Sequence, residues 1–296
     1  MKKRVLVLAG GGAKGMITTT MLCNFQKKIG VPLHEFFDII IGTSTGAIIG
    51  SMLAAGIDIE KIHKMYVENL KTIFTPQNPW YLPWRKVTRP KYDRETVIRA
   101  MKKCLDEVGI SKYGELKTKF ICSSVNVCSK ENTFFKSTSE KYKDRLITDI
   151  VKYSFAASVY FGIVRDDYEN TFRGDGGLGT MNFPMTQGLM EAMSDNPSEI
   201  EVYSFGTGYS NDDVSFEEVK SWGNIDEVFK LYLDDGELLS RVQTRIDQYN
   251  TMKWIDEKFE FVKFYYYDVK ISRKLDILDG ANFIQEYINL GNTVEF

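Results

Sequence analysis

Three short stretches of this chain carry residue types that do chemistry. Ser44 is the centre of Gly42-Thr43-Ser44-Thr45-Gly46, between an apolar run at 36–41 and a small apolar run at 47–55. A nucleophilic serine needs such a place. A tight strand-to-helix turn presents its hydroxyl, and glycines two residues to either side, Gly42 and Gly46, let neighbouring segments approach the turn. The turn also sets Ser44 at a helix N-terminus, where unpaired amides favour developing negative charge. Gly10-Gly11-Gly12-Ala13-Lys14-Gly15 follows another apolar run, 4–9. Its consecutive glycines expose backbone N–H groups that can stabilise an oxyanion, a contribution of roughly 3–4 kcal/mol per donor in known cases. Lys14 either adds positive charge there or caps the local structure. Gly174-Asp175-Gly176-Gly177 sets a carboxylate among glycines, and an activated serine requires a base within hydrogen-bond reach.

Each stretch has a second reading when taken alone. G-x-G-x-x-G is also the dinucleotide fingerprint, but that site wants an acidic residue about twenty positions on, at the end of the next strand. Asp38 comes later and at the strand's beginning. No position in the sequence gives a complete phosphate-binding G-x-x-x-x-G-K-[ST]. Asp-Gly-Gly is commonly just a turn. The histidines narrow the choice of base, because only His34 and His63 exist. A Ser-His-Asp triad needs one of them beside Ser44. His34 precedes the strand that ends at Ser44, and His63 follows the helix that leaves it, so both are carried away from the turn. A serine-carboxylate dyad of Ser44 and Asp175 is the economical alternative.

The elements around these residues repeat one plan. Residues 4–9 form a short run without alternation, as in a parallel strand covered on both faces, then the glycine turn, then a helix over 16–29 closed by Gly30-Val31-Pro32. Strand 36–41, the Ser44 turn and helix 47–55 repeat it. Helices are expected at 58–70, 93–105, 147–157 and 225–249, and strands at 120–127 and 133–136, a possible hairpin, and at 201–205. The stretch Phe264-Tyr265-Tyr266-Tyr267 has strand propensity and belongs to the core. The alternation implies an α/β fold, a single domain with a mostly parallel central sheet and helices on both faces. The expected division is a catalytic core over 1–210 and a mostly helical extension over 211–296 packed on it.

Composition sets outer limits. The chain has 296 residues, 43% of them hydrophobic, enough for a large core, and only 7 prolines with no low-complexity stretch that would read as a linker. Cys23, Cys104, Cys122 and Cys128 form no C-x-x-C pair, so buried thiols are expected rather than bridges or a zinc site. The apolar run after Lys2-Lys3-Arg4 is too short for a signal peptide. The run 36–55 is interrupted by Asp38 and the Ser44 turn, which suits a buried strand and helix better than a membrane span. A soluble, cytoplasmic protein is expected. The net charge of −2 hides an asymmetry: residues 61–145 hold 19 Lys and Arg against 9 Asp and Glu, whereas 146–296 hold 13 against 27. A basic middle suits an anionic surface or a phosphate-bearing ligand, or simply a solvated face.

The three motifs, in this order, resemble the patatin-like phospholipase family. Gly10, Gly11, Gly12 and Gly15 match its D-G-G-G-x-R-G loop, with Ala9 in place of Asp and Lys14 in place of Arg. The Ser44 elbow matches fully, and Asp175-Gly176 matches the base motif. The stretch from Ser154 through Phe161 is similar to the segment before that base, with Val159 a departure, and Ser204-Phe205-Gly206-Thr207-Gly208 looks like the family's late strand. The resemblance covers about residues 4–210. It implies a patatin-like three-layer fold, a Ser44–Asp175 dyad, amides around Gly11 and Gly12 as oxyanion donors, and hydrolysis of fatty acyl esters in glycerophospholipids, with no cofactor and no metal. At position 14, lysine keeps the charge but loses the planar fork of arginine.

The expected partner is phospholipid at a membrane surface, met peripherally, with no nucleic acid. The aromatic and basic stretch Trp80-Tyr81-Leu82-Pro83-Trp84-Arg85-Lys86 suits either that interface or a packed loop. Because an uncontrolled lipase endangers its own membranes, a regulatory ligand or a homo-oligomer is a further expectation. The rival readings are a serine acyltransferase, which uses the same elbow with a histidine base, a nucleotide-binding dehydrogenase, and a non-catalytic scaffold with no need of both Ser44 and Asp175.

Overall fold

The computed structural model describes residues 1–77, 90–210, 217, 220, 221 and 239–296. The expected aromatic stretch 80–86 and the first part of the expected helix 225–249 lie outside these residues. Apolar runs without alternation become β1 (Lys2–Leu8) and β2 (Ile39–Gly42), and the more mixed sequences of β3 (Lys119–Asn126) and β7 (Glu199–Phe205) complete the inner strands. With β4 (Glu131–Lys136), β5 (Val164–Asp166), β6 (Thr171–Asp175) and β8 (Val262–Tyr267) they form one eight-stranded sheet in the order β5-β6-β3-β2-β1-β7-β8, with β4 pairing β3. The pairs from β3 through β8 are parallel, whereas β4, β5 and β6 join antiparallel. The fold is therefore α/β with a mostly parallel sheet, and β3–β4 is the hairpin expected from sequence.

Successive strand residues point to opposite faces, and both faces are covered. Leu6, Leu8, Ile40, Phe120 and Phe205 pack with the helices α1 (Gly15–Ile29), α3 (Thr45–Ala54), α4 (Ile59–Ile73), α5 (Arg94–Val108) and α6 (Ile147–Ser154). Val5, Val7, Ile39, Ile41 and Val202 face the other layer, made by α7 (Met185–Met193) and α8 (Leu239–Lys258). Among the described residues, no helix is long and apolar enough to cross a membrane.

Several boundaries differ from the sequence expectation for physical reasons. Strand 36–41 begins only at Ile39, because Pro32 caps a short helical turn, α2 (Leu33–Phe36), ahead of it. β5 and β6 had no apolar alternation to announce them, whereas the helical spacing of Met185, Leu189 and Ala192 in α7 was not singled out from sequence. The polar stretch that holds β5 and β6 is a buried ionic network, described below. A division of the chain at residue 210 runs through the sheet, since β8 pairs β7 along its length and α9 (Ile284–Gly291) packs on α1. The four thiols are free; Cys23, Cys104 and Cys122 are buried as expected, whereas Cys128 is exposed because it lies in the β3–β4 turn.

Candidate active site

The Ser44 turn is a strained elbow between β2 and α3. Ser44 has φ 53° and ψ −120°, a region that non-glycine residues rarely adopt and that costs on the order of 1–3 kcal/mol. The flanking glycines are required by close approach. A Cβ at Gly42 would lie 2.4 Å from the Gly46 carbonyl oxygen, and one at Gly46 would lie 2.4 Å from that of Leu8. The strain is held by bonds on both sides. The Ser44 N–H donates to the buried Ser154 Oγ at 2.9 Å, and the Ser44 carbonyl accepts from Ala47 and Ile48 in the first turn of α3. The hydroxyls of Thr43 and Ser123 are 2.6 Å apart, as are those of Thr45 and Tyr66.

The glycine loop after β1 lies against this elbow. A Cβ on Gly10 would be 3.2 Å from Ser44 Cβ. The Gly10 N–H is already spent on the Asn182 carbonyl at 2.9 Å, Ala13 N–H on the Leu278 carbonyl at 2.7 Å, and Lys14 N–H on the Gly11 carbonyl at 3.2 Å. Among the described residues, the N–H groups of Gly11 and Gly12 have no acceptor. Gly12 needs its hydrogen side chain twice over, with φ +58° and a Cβ position 2.2 Å from the Leu278 carbonyl oxygen. Lys14 is buried, and its ammonium pairs with Asp276, so its charge is directed toward the C-terminal loop. Gly10, Gly11, Gly12 and Lys14 are thus neighbours with different occupations.

Asp175 ends β6 and is 4% exposed. Its carboxylate accepts from Gly177 N–H at 2.7 Å, while its own N–H donates to Ala156 at 3.1 Å. Gly176 is glycine because a Cβ there would meet Ser123 Oγ at 2.1 Å. Asp175, Ser44, Gly11 and Gly12 line one cavity of about 380 Å³, joined by Tyr160 and Asn182. Ser44 and Gly12 also line an adjoining apolar cavity of about 450 Å³, walled by Ile48, Met65, Leu70, Met101 and Phe155. His34 and His63 line neither cavity. His63 Nδ1 lies 2.9 Å from Thr19 Oγ1, and burial lowers its pKa. Asp38 accepts from Arg4 N–H at the far end of β1, away from the glycine loop and so not where a dinucleotide ribose would need it.

Sequence reasoning did not single out four residues that shape the site. Ser154 and Thr207 lay inside the segments noted as similar to the family pattern, and so did Tyr160, whose buried hydroxyl has no partner among the described residues. Thr207 Oγ1 donates to the Gly10 carbonyl at 3.1 Å. Asn182, which bonds Gly10 and packs against Gly177, carried no sequence signal.

Asp175 is steadied from behind. Asp166 on β5 is fully buried, with Arg173 Nε at 3.1 Å and Arg145 at 3.2 Å, and Tyr153, the neighbour of Ser154, donates to the same carboxylate. Desolvation pushes the Asp166 carboxyl up, but Arg145 and Arg173 outweigh it and hold the group below the ordinary aspartate range.

A family model for patatin-like phospholipase matches residues 6–189. A cUMP-AMP-activated phospholipase of Escherichia coli is 41% identical over 75 residues, 25% of this chain and 23% of that protein. A cGAMP-activated phospholipase of Pseudomonas aeruginosa is 31% identical over 194 residues, 63% of this chain and 56% of its own length. One from Vibrio cholerae is 27% identical over 229 residues, 69% and 64%. The match spans less than two thirds of each of these relatives.

Proposed function

This chain belongs to the patatin-like phospholipase family, and from that premise we propose that it is a phospholipase A-type acyl hydrolase acting through a Ser44–Asp175 dyad. One observation carries the reading: Ser44, Asp175 and Gly11 and Gly12, whose amides have no acceptor among the described residues, line the same cavity, beside a second, apolar cavity that also reaches Ser44. The apolar cavity receives the fatty acyl chain and leaves the ester carbonyl over Ser44. Asp175 takes the hydroxyl proton as Ser44 Oγ attacks that carbonyl, and the oxyanion is met by the Gly11 and Gly12 amides. Collapse of the tetrahedral intermediate releases the lysolipid, which takes the proton from Asp175, and leaves an acyl-serine. Water, deprotonated by the same carboxylate, then releases the fatty acid and restores Ser44.

The substrate is phospholipid at a membrane surface, met peripherally by the chain. The names of the relatives support a second element of the reading, activation by a cyclic dinucleotide. The test is fatty-acid release from phosphatidylcholine and phosphatidylethanolamine vesicles by the wild type, Ser44→Ala and Asp175→Asn, with and without cGAMP or cUMP-AMP. The expected outcome is release by the wild type that rises with one of the nucleotides, and a loss of at least about 10⁴-fold in each variant. Release that persists in Ser44→Ala overturns the assignment.

A further inference from the structure

Apart from the two cavities at Ser44 there is a third pocket, of about 790 Å³ including the space open to solvent, whose lining includes Tyr209, Arg245, Ile246, Tyr249, Tyr266 and Asp268. The part of it that a ligand can fill, about 380 Å³, falls in the range of small-molecule sites, roughly 300–1,000 Å³. We propose that this pocket is the effector site, taking a cyclic dinucleotide by stacking a base on its tyrosines and pairing a phosphate with Arg245. The proposal rests on the activation reading above and locates it.

The chemistry of the lining fits that ligand class. The Arg245 guanidinium lies 4.7 Å over the Tyr209 ring, and Tyr249 meets Tyr266 edge to face at 4.9 Å, so aromatic surface and positive charge stand side by side. Planar bases stack on such rings, and arginine matches phosphate geometry. Asp268, which already accepts from the Tyr266 hydroxyl at 2.9 Å, supplies a further acceptor for the N–H edge of a base.

The wall of the pocket is also the support of the catalytic loops. The Asp268 carboxylate accepts from Gly208 N–H at 2.8 Å and lies so close to Gly206 that a Cβ there would be 2.1 Å from its Cγ. Between these two glycines sits Thr207, whose hydroxyl holds the Gly10 carbonyl and whose side chain abuts Gly11. On the other side, Tyr266 packs on Phe183 at 5.8 Å, next to Asn182, which accepts from Gly10 N–H. Gln248 of α8, one residue from Tyr249, accepts from Met185 N–H at 2.8 Å. A ligand that moves Tyr266 or Asp268 therefore acts on the Gly10–Gly12 loop, and so on the amides assigned to the oxyanion, through Thr207 on one side and Phe183 and Asn182 on the other.

The test is calorimetric titration of cGAMP and of cUMP-AMP into the full chain, as wild type, Ser44→Ala, Arg245→Ala and Ile246→Trp. Ile246 is exposed on α8, so tryptophan there fills the pocket without entering the core and covers the case in which Arg245→Ala fails to fold. The expected result is binding of one nucleotide by the wild type and by Ser44→Ala, weakened at least ten-fold in both pocket variants, with nucleotide-stimulated release lost in parallel. Unchanged affinity in a folded pocket variant overturns this location and leaves the activation reading standing. Binding of neither nucleotide by the wild type overturns both.

Discussion

Ser44 is held by backbone packed against backbone, whereas Asp175 is held by a polar network that begins at Asp166. On the serine side, Gly42, Gly46 and Gly10 let three chain segments approach within van der Waals distance, and the strained Ser44 backbone persists because nothing around it has room to give. On the aspartate side, Arg145, Arg173 and Tyr153 converge on one buried carboxylate, and β6 carries that order two residues on from Arg173 to Asp175. Close packing fixes geometry at any pH; a buried ionic network fixes it only while its charges are in place.

The largest effect that would break this comparison is at Asp166. Asp166→Asn takes the buried counter-charge from Arg145 and Arg173, with Arg173 still paired to the partly exposed Glu169, and removing one member of a buried pair costs about 3–5 kcal/mol. The expected outcome is a large fall in Tm together with a loss of kcat, and an unchanged Tm would show that the network does not hold β6. Acid acts on the same group. Its folded pKa is depressed, so the stability it contributes is fully present above the ordinary aspartate value and is lost as pH falls through the lower folded value. Wild type should therefore weaken in thermal melts below about pH 4, and Asp166→Asn should lose less over that window.

A smaller effect is expected on the packed side. Gly46→Ala presses a methyl against the Leu8 and Ala9 carbonyls, which cannot rotate away, at a cost of about 1–3 kcal/mol. Because these carbonyls lead into Gly10, kcat should fall at least about ten-fold while the acid profile keeps its shape. Smallest is Ser154→Ala, which removes the acceptor of Ser44 N–H and should lower kcat by about five- to ten-fold, on the order of 1 kcal/mol for one buried donor left unpaired. A wild-type rate in that variant would mean that the elbow needs no help from α6.

The serine side was legible in the sequence because its constraint is written in residue type: where a Cβ cannot fit, glycine must stand, and glycines at Gly10, Gly11, Gly12, Gly42 and Gly46 mark the turns directly. Strands β1 and β2 were legible for a similar reason, since burial on both faces leaves uninterrupted Val, Leu and Ile. The network around Asp166 was not. Its charged residues at 165–173 look like any solvated loop until the fold brings Arg145 and Tyr153 to them, and Arg173 is fully buried despite its charge. β8 was recognisable as a strand, but its place beside β7 depends on a long-range pairing that no local pattern encodes. Lys14 shows the limit of carrying a role by position alone, because its partner, Asp276, lies in the C-terminal loop.

The central claim is that Ser44 is a nucleophile activated by Asp175, and covalent labelling tests it most directly. A fluorophosphonate should label the wild type once, at Ser44 by peptide mass spectrometry, and label Asp175→Asn far more slowly at equal folded fraction. Labelling at a different serine, or an equal rate in Asp175→Asn, would contradict the account.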